Sequence, residues 1–272
     1  MKELAGRKLI LILGIPFGIG CYLIGNPIFA VVTTIVMLGG LDEFYSICEK
    51  KGGHPNRIFG FIITLLIAVS YSVIYAHHQI TIMGIICLSV ISVFFIEIIN
   101  KKEEPLLNIS TTFLGILFVP CLLGTIIYLR QMDHIYNSNV VLALFLSVWF
   151  ADIAAFFFGT KWGKKKIVPM ISPKKSWVGS ISGFLASLLV FILFHELGFL
   201  GARYSLLDSV TFGVISGIFS QLGDFSESLL KRDVGVKDSG NLLRGHGGIL
   251  DRFDSLLFSS SMIYIHFLIF ID

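Results

Sequence analysis

The sequence predicts an all-α polytopic membrane protein of about nine transmembrane helices. Hydrophobic residues make up 55% of its 272 positions, and a mean hydropathy of +0.84 is too high for a soluble fold with a polar surface. The apolar residues form runs of about twenty, the length at which a helix crosses the hydrocarbon core of a bilayer. Backbone groups in lipid must be paired internally, as they are in helices. We therefore predict a single membrane-embedded domain over residues 1–272.

The predicted spans follow these apolar runs along the chain. They cover approximately residues 8–25, 27–43, 58–76, 80–99, 109–129, 139–159, 177–199, 206–230 and 253–271. Only Gly25, Asn26 and Pro27 separate the first two, so this boundary is the least well defined. The basic residues ahead of the first run are also typical of a signal peptide, but further spans follow, which favours an uncleaved helix.

The basic residues predict the orientation of the chain. If the N-terminus lies inside, all but two of the 21 Lys and Arg residues fall in inside segments, the exceptions being Arg130 and Arg203. This distribution follows the positive-inside rule. We expect the protein in the cytoplasmic (inner) membrane of the cell, with Asp272 outside.

Two predicted spans each carry an aspartate within the bilayer, where burying a charged group costs free energy. Asp152 interrupts the sixth span and Asp224 the eighth. A carboxylate within a span costs about 2.5–3.5 kcal/mol, so it usually pairs, faces the bundle interior or serves a function. Each lies about two turns from the inner end of its helix, or about 10 Å below the inner surface.

The eighth span also carries a stripe of small and polar residues at helical spacing. The stripe consists of Gly217, Gln221, Asp224, Ser228 and Lys231. Residues at this spacing lie on one face of a helix. We expect its polar members to line a cavity that opens toward the cytoplasm.

Two more carboxylates begin the ninth span. Asp251 and Asp254 are three residues apart, so they share a helix face. A cluster of oxygen ligands without His–Cys spacing suits Mg²⁺, which binds through one or two carboxylates plus substrate phosphates. The alternative is an internal ion-pair network that only holds helices together. Nearby carboxylates repel each other unless a cation lies among them, which favours the metal.

The loop between the eighth and ninth spans has the composition of a phosphate site. Gly247 and Gly248 allow backbone amides to approach an anion, although such a turn alone is usually structural. His246 is either a proton carrier or a hydrogen-bonding phosphate contact. Basic residues surround the turn: Lys231, Arg232, Lys237, Arg244 and Arg252. Together they favour phosphate binding.

A second basic loop precedes the seventh span. Basic residues next to a membrane can act as plain anchors for anionic lipid, at about 1 kcal/mol each. We assign that role to Lys164, Lys165 and Lys166. We expect Lys174, Lys175 and Ser176 to belong to the site.

The two loops resemble the signature of the CDP-diacylglycerol synthases (phosphatidate cytidylyltransferases). The longer loop matches at Ser228, Lys231, Arg232, Lys237, Asp238, His246, Gly247, Gly248, Asp251, Arg252 and Asp254. The shorter loop matches over 172–177, which reads SPKKSW, and at Gly179. Arg244 and Val178 depart from the usual pattern. Residues 1 to about 140 resemble the family only in hydropathy.

The resemblance implies a nucleotidyltransferase of phospholipid biosynthesis, with its catalytic portion at about 140–260. Such an enzyme transfers CMP from CTP to phosphatidic acid, giving CDP-diacylglycerol and pyrophosphate. It implies catalytic roles for Asp224, Asp251, Lys231 and His246, with Mg²⁺ on Asp224 and Asp251. Asp152 and Asp254 are candidates for support or a second cation. The implied substrate-binding residues are Ser172, Lys174, Lys175, Ser176, Ser228, Arg232, Lys237, Asp238, Gly247, Gly248 and Arg252.

Two other functions fit parts of the pattern. A CTP-dependent kinase of a polyprenol or similar alcohol would also need metal and basic loops, but its signature lacks this order of residues. An ion-coupled transporter would place binding elements near the middle of the membrane, whereas these polar residues cluster on one side. The predicted partners are CTP, phosphatidic acid and the lipid bilayer, without nucleic acid. A homodimer is left open.

Overall fold

The computed structural model describes residues 18–73, 78–100, 103–240 and 247–271, most of which are helical. A short helix covers residues 18–24. The main helices are α1 (Asn26–Glu49), α2 (Arg57–Val73), α3 (His78–Asn100), α4 (Pro105–Tyr136), α5 (Val140–Trp162), α6 (Trp177–Glu196), α7 (Leu206–Asp233) and α8 (Leu250–Phe270). Seven of the described helices are long and apolar enough to span a membrane, and α2 is an apolar helix of 17 residues. This confirms the predicted all-α polytopic architecture.

Several helices extend beyond the predicted spans. Helix α4 starts at Pro105, because proline suits the first turn of a helix. It passes through a π-helical turn at Leu117–Cys121, which contains Pro120. Helix α7 continues to Asp233 through charged residues, which hydropathy alone does not count as part of a span. The first predicted span falls largely on residues 1–17, outside the described ranges.

The chain divides into two compact units. Unit 1 comprises Met1–Tyr128 and Asp233–Arg252, and unit 2 comprises Leu129–Arg232 and Phe253–Asp272. Both are helical in their described residues. The single membrane-embedded domain and the catalytic portion at about 140–260 stay predictions.

In unit 1, Tyr45 forms the centre at which α1, α2 and α4 meet. Its side chain is fully buried, and its hydroxyl donates to the carbonyl oxygen of Thr112 at 2.9 Å. Gly60 of α2 and Gly115 of α4 lie so close to the ring that a Cβ at either position would overlap it. The two glycines therefore make room for the tyrosine.

In unit 2, α5 and α6 pack closely through small residues. A Cβ on Gly179 would lie 2.8 Å from the carbonyl oxygen of Ala155, and one on Gly183 would lie 3.0 Å from that of Ala151. Small residues let membrane helices approach to backbone distance. The contact between α5 and α6 therefore has little room for larger side chains.

Helix α7 is held between two neighbours in unit 2. Gly217 faces Phe184 of α6, where a Cβ would lie 3.1 Å from the phenylalanine Cα. Gly223 faces the backbone of Asp254 and Ser255 in α8, where a Cβ would overlap the carbonyl oxygen of Asp254. These close contacts fix the height and rotation of α7, and with them the position of Asp224.

Candidate functional site

Unit 2 contains a cavity of about 470 Å³ lined by residues of α5, α6, α7 and the loop before α6. Several predicted site residues line this cavity. They are Asp152 on α5, Lys174, Lys175 and Ser176 just before α6, and Asp224 on α7. The structure thus brings together an acidic and a basic group that are far apart in the sequence.

The central contact of the cavity joins Lys175 to Asp224. The Nζ atom of Lys175 forms an ion pair with Oδ2 of Asp224. The same Nζ lies 4.2 Å from the centroid of the Phe225 ring, a cation–π contact. Ser228, one turn along, donates from Oγ to Oδ1 of Asp224 at 3.3 Å. Both charged side chains are about 30% exposed, so a ligand in the cavity can reach them.

The position of Lys175 is set by the cap of α6. Ser176 is the N-cap residue, and its Oγ accepts a hydrogen bond from the amide of Gly179 at 3.3 Å. Ser176 is buried and forms an isolated antiparallel bridge with Lys166. The amide of Ile167 donates to the carbonyl of Lys175, which closes the loop. The structure therefore shows a capping role for Ser176, and its predicted contact with substrate stays a prediction.

The polar stripe on α7 serves more than one purpose. Gln221 donates from Nε2 to the carbonyl oxygens of Ser180, at 3.1 Å, and Gly217, at 2.7 Å, so it joins α7 to α6. Asp224 and Asp152 both line the cavity. Gln221 and Asp224 thus both line the cavity, as predicted for the polar members of the stripe, and Gln221 also joins the two helices.

Lys231 is buried and lies at the end of the stripe. Its Nζ is 2.8 Å from Oε2 of Glu227, one turn earlier, with side-chain exposures of 9% and 0%. Asp254 of α8 is also buried, and its Oδ1 accepts a hydrogen bond from the amide of Ser255 at 2.6 Å. Sequence reasoning missed Glu227, although its i, i+4 spacing from Lys231 is typical of a helical ion pair. The predicted phosphate contact of Lys231 stays a prediction.

The other predicted cations of unit 2 are exposed. Lys174 is exposed, and its carbonyl oxygen accepts a hydrogen bond from Nζ of Lys166 at 3.3 Å. Arg232 is also exposed and donates from Nε to the carbonyl oxygen of Ile171 at 3.3 Å. Ser172 is half-buried in the same loop. The end of α7 and the basic loop therefore lie side by side.

In unit 1, Asp251 organises the turn at which α8 begins. Its Oδ2 accepts hydrogen bonds from the amides of Gly248 at 2.7 Å and Ser239 at 2.9 Å. Gly247 has a φ of +79°, a value that favours glycine. The predicted turn at Gly247 and Gly248 is thus hydrogen-bonded to Asp251, a predicted metal ligand. Lys237, Asp238 and Arg252 are exposed nearby in the sequence.

A second carboxylate in unit 1 was not predicted. Glu43 of α1 is 6% exposed and accepts hydrogen bonds from the amides of Ile249 at 2.8 Å and Leu250 at 2.9 Å. It also accepts from the hydroxyl of Ser239 at 2.8 Å. Glu43 lies at the end of a predicted span, where the apolar pattern gives no sign of its distant partners.

The predicted magnesium ligands are oxygen donors, and their binding of Mg²⁺ stays a prediction. Within the described ranges, no three His, Cys, Asp or Glu side chains are grouped as a complete metal site. Mg²⁺ needs fewer protein ligands, since water and phosphate oxygens complete its coordination. The aspartates at positions 152, 224 and 254 supply suitable oxygen donors in unit 2, and Asp251 supplies one in unit 1. His246 and Arg244 lie outside the described residues.

Comparison with known proteins covers nearly the whole chain. The model of the cytidylyltransferase family matches residues 6–270. A phosphatidate cytidylyltransferase of Synechocystis sp. is 30% identical over 282 residues, which cover 93% of this chain and 92% of the relative. One of Thermotoga maritima is 29% identical over 98% of this chain and 97% of its own length. One of Staphylococcus haemolyticus is 46% identical over a shorter stretch of 127 residues, 47% of this chain and 48% of the relative.

Proposed function

Because the chain belongs to the cytidylyltransferase family, we propose that it is a phosphatidate cytidylyltransferase. It transfers CMP from CTP to phosphatidic acid and yields CDP-diacylglycerol and pyrophosphate in phospholipid biosynthesis. The single structural observation that supports this most is the pairing of Lys175 with Asp224 at the cavity of unit 2. A cationic group for phosphate and a carboxylate for a cation lie together there.

The chemistry needs charge neutralisation more than proton transfer. An oxygen of the phosphomonoester of phosphatidic acid attacks the α-phosphorus of CTP. A new phosphorus–oxygen bond forms, and the bond from the α-phosphorus to the bridging oxygen breaks, so that pyrophosphate leaves with the electron pair. The nucleophile is already anionic. The barrier therefore lies in bringing two polyanions together, which cationic side chains relieve.

The side chains of unit 2 suit this task in different ways. Lys175 is held by Asp224 and capped into position by Ser176, so it offers an oriented charge at the cavity. Lys174 and Arg232 are exposed and can reach phosphate oxygens from the loop and the end of α7. Lys231 is buried against Glu227, so it contributes a fixed positive charge from within the protein.

We assign the magnesium ligands from the sequence. Asp224 and Asp251 are the proposed primary ligands, and Asp152 and Asp254 would support them or bind a second cation. When bound, Mg²⁺ would neutralise phosphate oxygens and stabilise the charge that develops on them. Omitting Mg²⁺ or adding EDTA should abolish turnover.

The location of the reaction is also part of the proposal. The chain is a multi-pass membrane protein, and we place it in the cytoplasmic membrane with its active site on the cytoplasmic side. The lipid then keeps its acyl chains in the bilayer while CTP arrives from the cytoplasm. The absence of a nucleic-acid partner stays a prediction, and a homodimer is left open.

A product assay tests the proposed function. Purified protein should convert CTP labelled on the cytidine, with phosphatidic acid and Mg²⁺, to a lipid that carries the label. CTP labelled only on the γ-phosphate should release labelled pyrophosphate and leave the lipid unlabelled. A lipid that instead acquires the γ-phosphate would show a kinase and contradict the proposal.

A further inference from the structure

Glu43 makes an unusual set of contacts for a residue in an apolar helix. Both of its carboxylate oxygens accept hydrogen bonds: Oε1 from the amide of Ile249, and Oε2 from the amide of Leu250 and the hydroxyl of Ser239. All three distances are 2.8–2.9 Å, and Glu43 is 6% exposed. Three donors of the described residues therefore contact the carboxylate. This arrangement requires an acceptor at both oxygens, which a carboxylate provides.

The backbone around Glu43 is shaped to admit this carboxylate. Gly240 and Gly248 both lie against the Glu43 side chain, where a Cβ at either position would overlap it. Helix N-termini are normally capped by a residue next to them in sequence, such as Ser or Asp. Here the first amides of α8 are instead bound by a residue of α1, and the negative charge suits the positive end of the helix.

The same turn carries Asp251. Three consecutive amides are divided between two carboxylates, since Gly248 donates to Asp251 whereas Ile249 and Leu250 donate to Glu43. Ser239 links the two, because its hydroxyl donates to Glu43 while its amide donates to Oδ2 of Asp251. Any displacement of Glu43 would therefore move the backbone that orients Asp251.

We propose that Glu43 is the positioning residue of the active-site turn, holding Gly248 and Asp251 in the geometry that the reaction needs. This inference rests on the proposed function, in which Asp251 is a metal ligand. In this role Glu43 acts through the backbone of the turn, by its contacts with Ser239, Ile249 and Leu250. Its role requires the charge and both oxygens, because the amide of a glutamine would direct a donor toward the donors of the turn.

Hydrogen exchange and turnover of the full chain in detergent test this role together. In Glu43→Gln, the amides of Ile249 and Leu250 should exchange at least about tenfold faster, without nucleotide or cation present, since hydrogen bonds to charged groups protect strongly. CMP transfer should fall at least about tenfold. Exchange in the segment Pro105–Ile116 should stay at the wild-type rate. Asp42→Asn is the matched control, because this neighbouring carboxylate pairs with Arg57 instead, and it should match wild type in both measurements.

The conservative variant Glu43→Asp keeps the charge and should lie between wild type and Glu43→Gln in both exchange and turnover. Wild-type exchange at Ile249 and Leu250 with full turnover in Glu43→Gln would overturn the positioning role. So would faster exchange throughout unit 1, which would mean general destabilisation, or an aspartate variant no better than glutamine. If wild-type protein transfers no CMP at all, the proposed function fails instead. The exchange result then still shows whether Glu43 holds the amides of Ile249 and Leu250.

Discussion

Lys175 forms an ion pair with Asp224 across the cavity of unit 2, and the pair joins the start of α6 to the middle of α7. The lysine stands beside the N-cap of its helix, so its backbone is fixed, while its side chain is partly exposed. A lysine held in this way differs from one that only anchors a loop to lipid.

Replacing Lys175 should therefore have a much larger effect than replacing its basic neighbours. Lys175→Gln removes a charge directed at the cavity, and we expect CMP transfer to fall by two orders of magnitude or so, as for lost transition-state charge stabilisation. Lys164→Gln and Lys165→Gln change exposed side chains and should keep most of the activity. Equal mild losses in all three would contradict a special role for Lys175. Initial rates at saturating CTP measure the difference.

The metal assignment predicts that two aspartates act together. Asp224→Asn and Asp251→Asn each keep the size of the side chain but lose its charge, and each should nearly abolish turnover. The double variant should lose little more than either single one, because residues that serve one function are non-additive. Asp208→Asn is the control: its carboxylate accepts from Ser205 at 2.9 Å, which an amide oxygen can also do. Full activity in either single variant, at any Mg²⁺ concentration, would argue against the assignment.

The buried pair of Glu227 and Lys231 predicts a change in stability as well as activity. Glu227→Gln leaves a buried ammonium without this carboxylate, and breaking a buried pair typically costs about 3–5 kcal/mol. The midpoint of thermal unfolding in detergent should fall. Adding Lys231→Met removes the buried charge, so stability should recover in part while turnover stays low. An unchanged midpoint in Glu227→Gln would show that the pair does not stabilise the helix bundle.

Gly223 tests whether the spacing of α7 and α8 matters for the site. Gly223→Ala places a methyl group against the backbone carbonyl oxygen of Asp254, and a backbone atom cannot rotate away as a side chain can. The helices must separate, so we expect lower stability and at least about a tenfold loss of turnover through the displaced neighbour, Asp224. Gly84→Ala is the control, because nothing lies within 4 Å of its added methyl group. Normal activity in Gly223→Ala would mean that the site tolerates this shift.

The predicted orientation can be tested with Cys48, near the end of α1. In a variant that keeps only this cysteine, a membrane-impermeant thiol reagent should not label intact cells. Labelling should appear after permeabilisation, since Cys48 is only partly buried. Labelling without permeabilisation would reverse the topology and place the basic loops away from cytoplasmic CTP.

Local patterns in the sequence predicted the fold and part of the site. The apolar runs located most of the helices, because span length follows from bilayer thickness. Counting turns placed Asp152 and Asp224 at a similar depth, and both line one cavity in the structure. The SPKKSW stretch predicted Lys175 as a site residue rather than an anchor; the structure places it at that cavity, and its contact with substrate stays a prediction.

The residues that were missed depend on distant contacts or on burial. Glu43 binds amides of residues about two hundred positions away, and no periodicity in either segment signals this partner. Glu227 stands one turn before Lys231, but spacing alone does not reveal that both are buried. The hydrogen bond by which Ser176 caps α6 is also a feature that the sequence analysis did not include, although a serine before an apolar helix commonly has this role. Its predicted contact with substrate stays a prediction.

The glycines of α7 have a consequence for how the site can respond to a ligand. With Gly217 against α6 and Gly223 against α8, the backbone that carries Asp224 lies in close contact with both neighbouring helices. The long side chain of Lys175, in contrast, has several rotatable bonds and an open cavity beside it. When an anion competes for the ammonium, the lysine has to swing and the aspartate stays where it is. Breaking the ion pair would then move only the Lys175 side chain. The Asp224 carboxylate would be exposed to the ligand without changing its position.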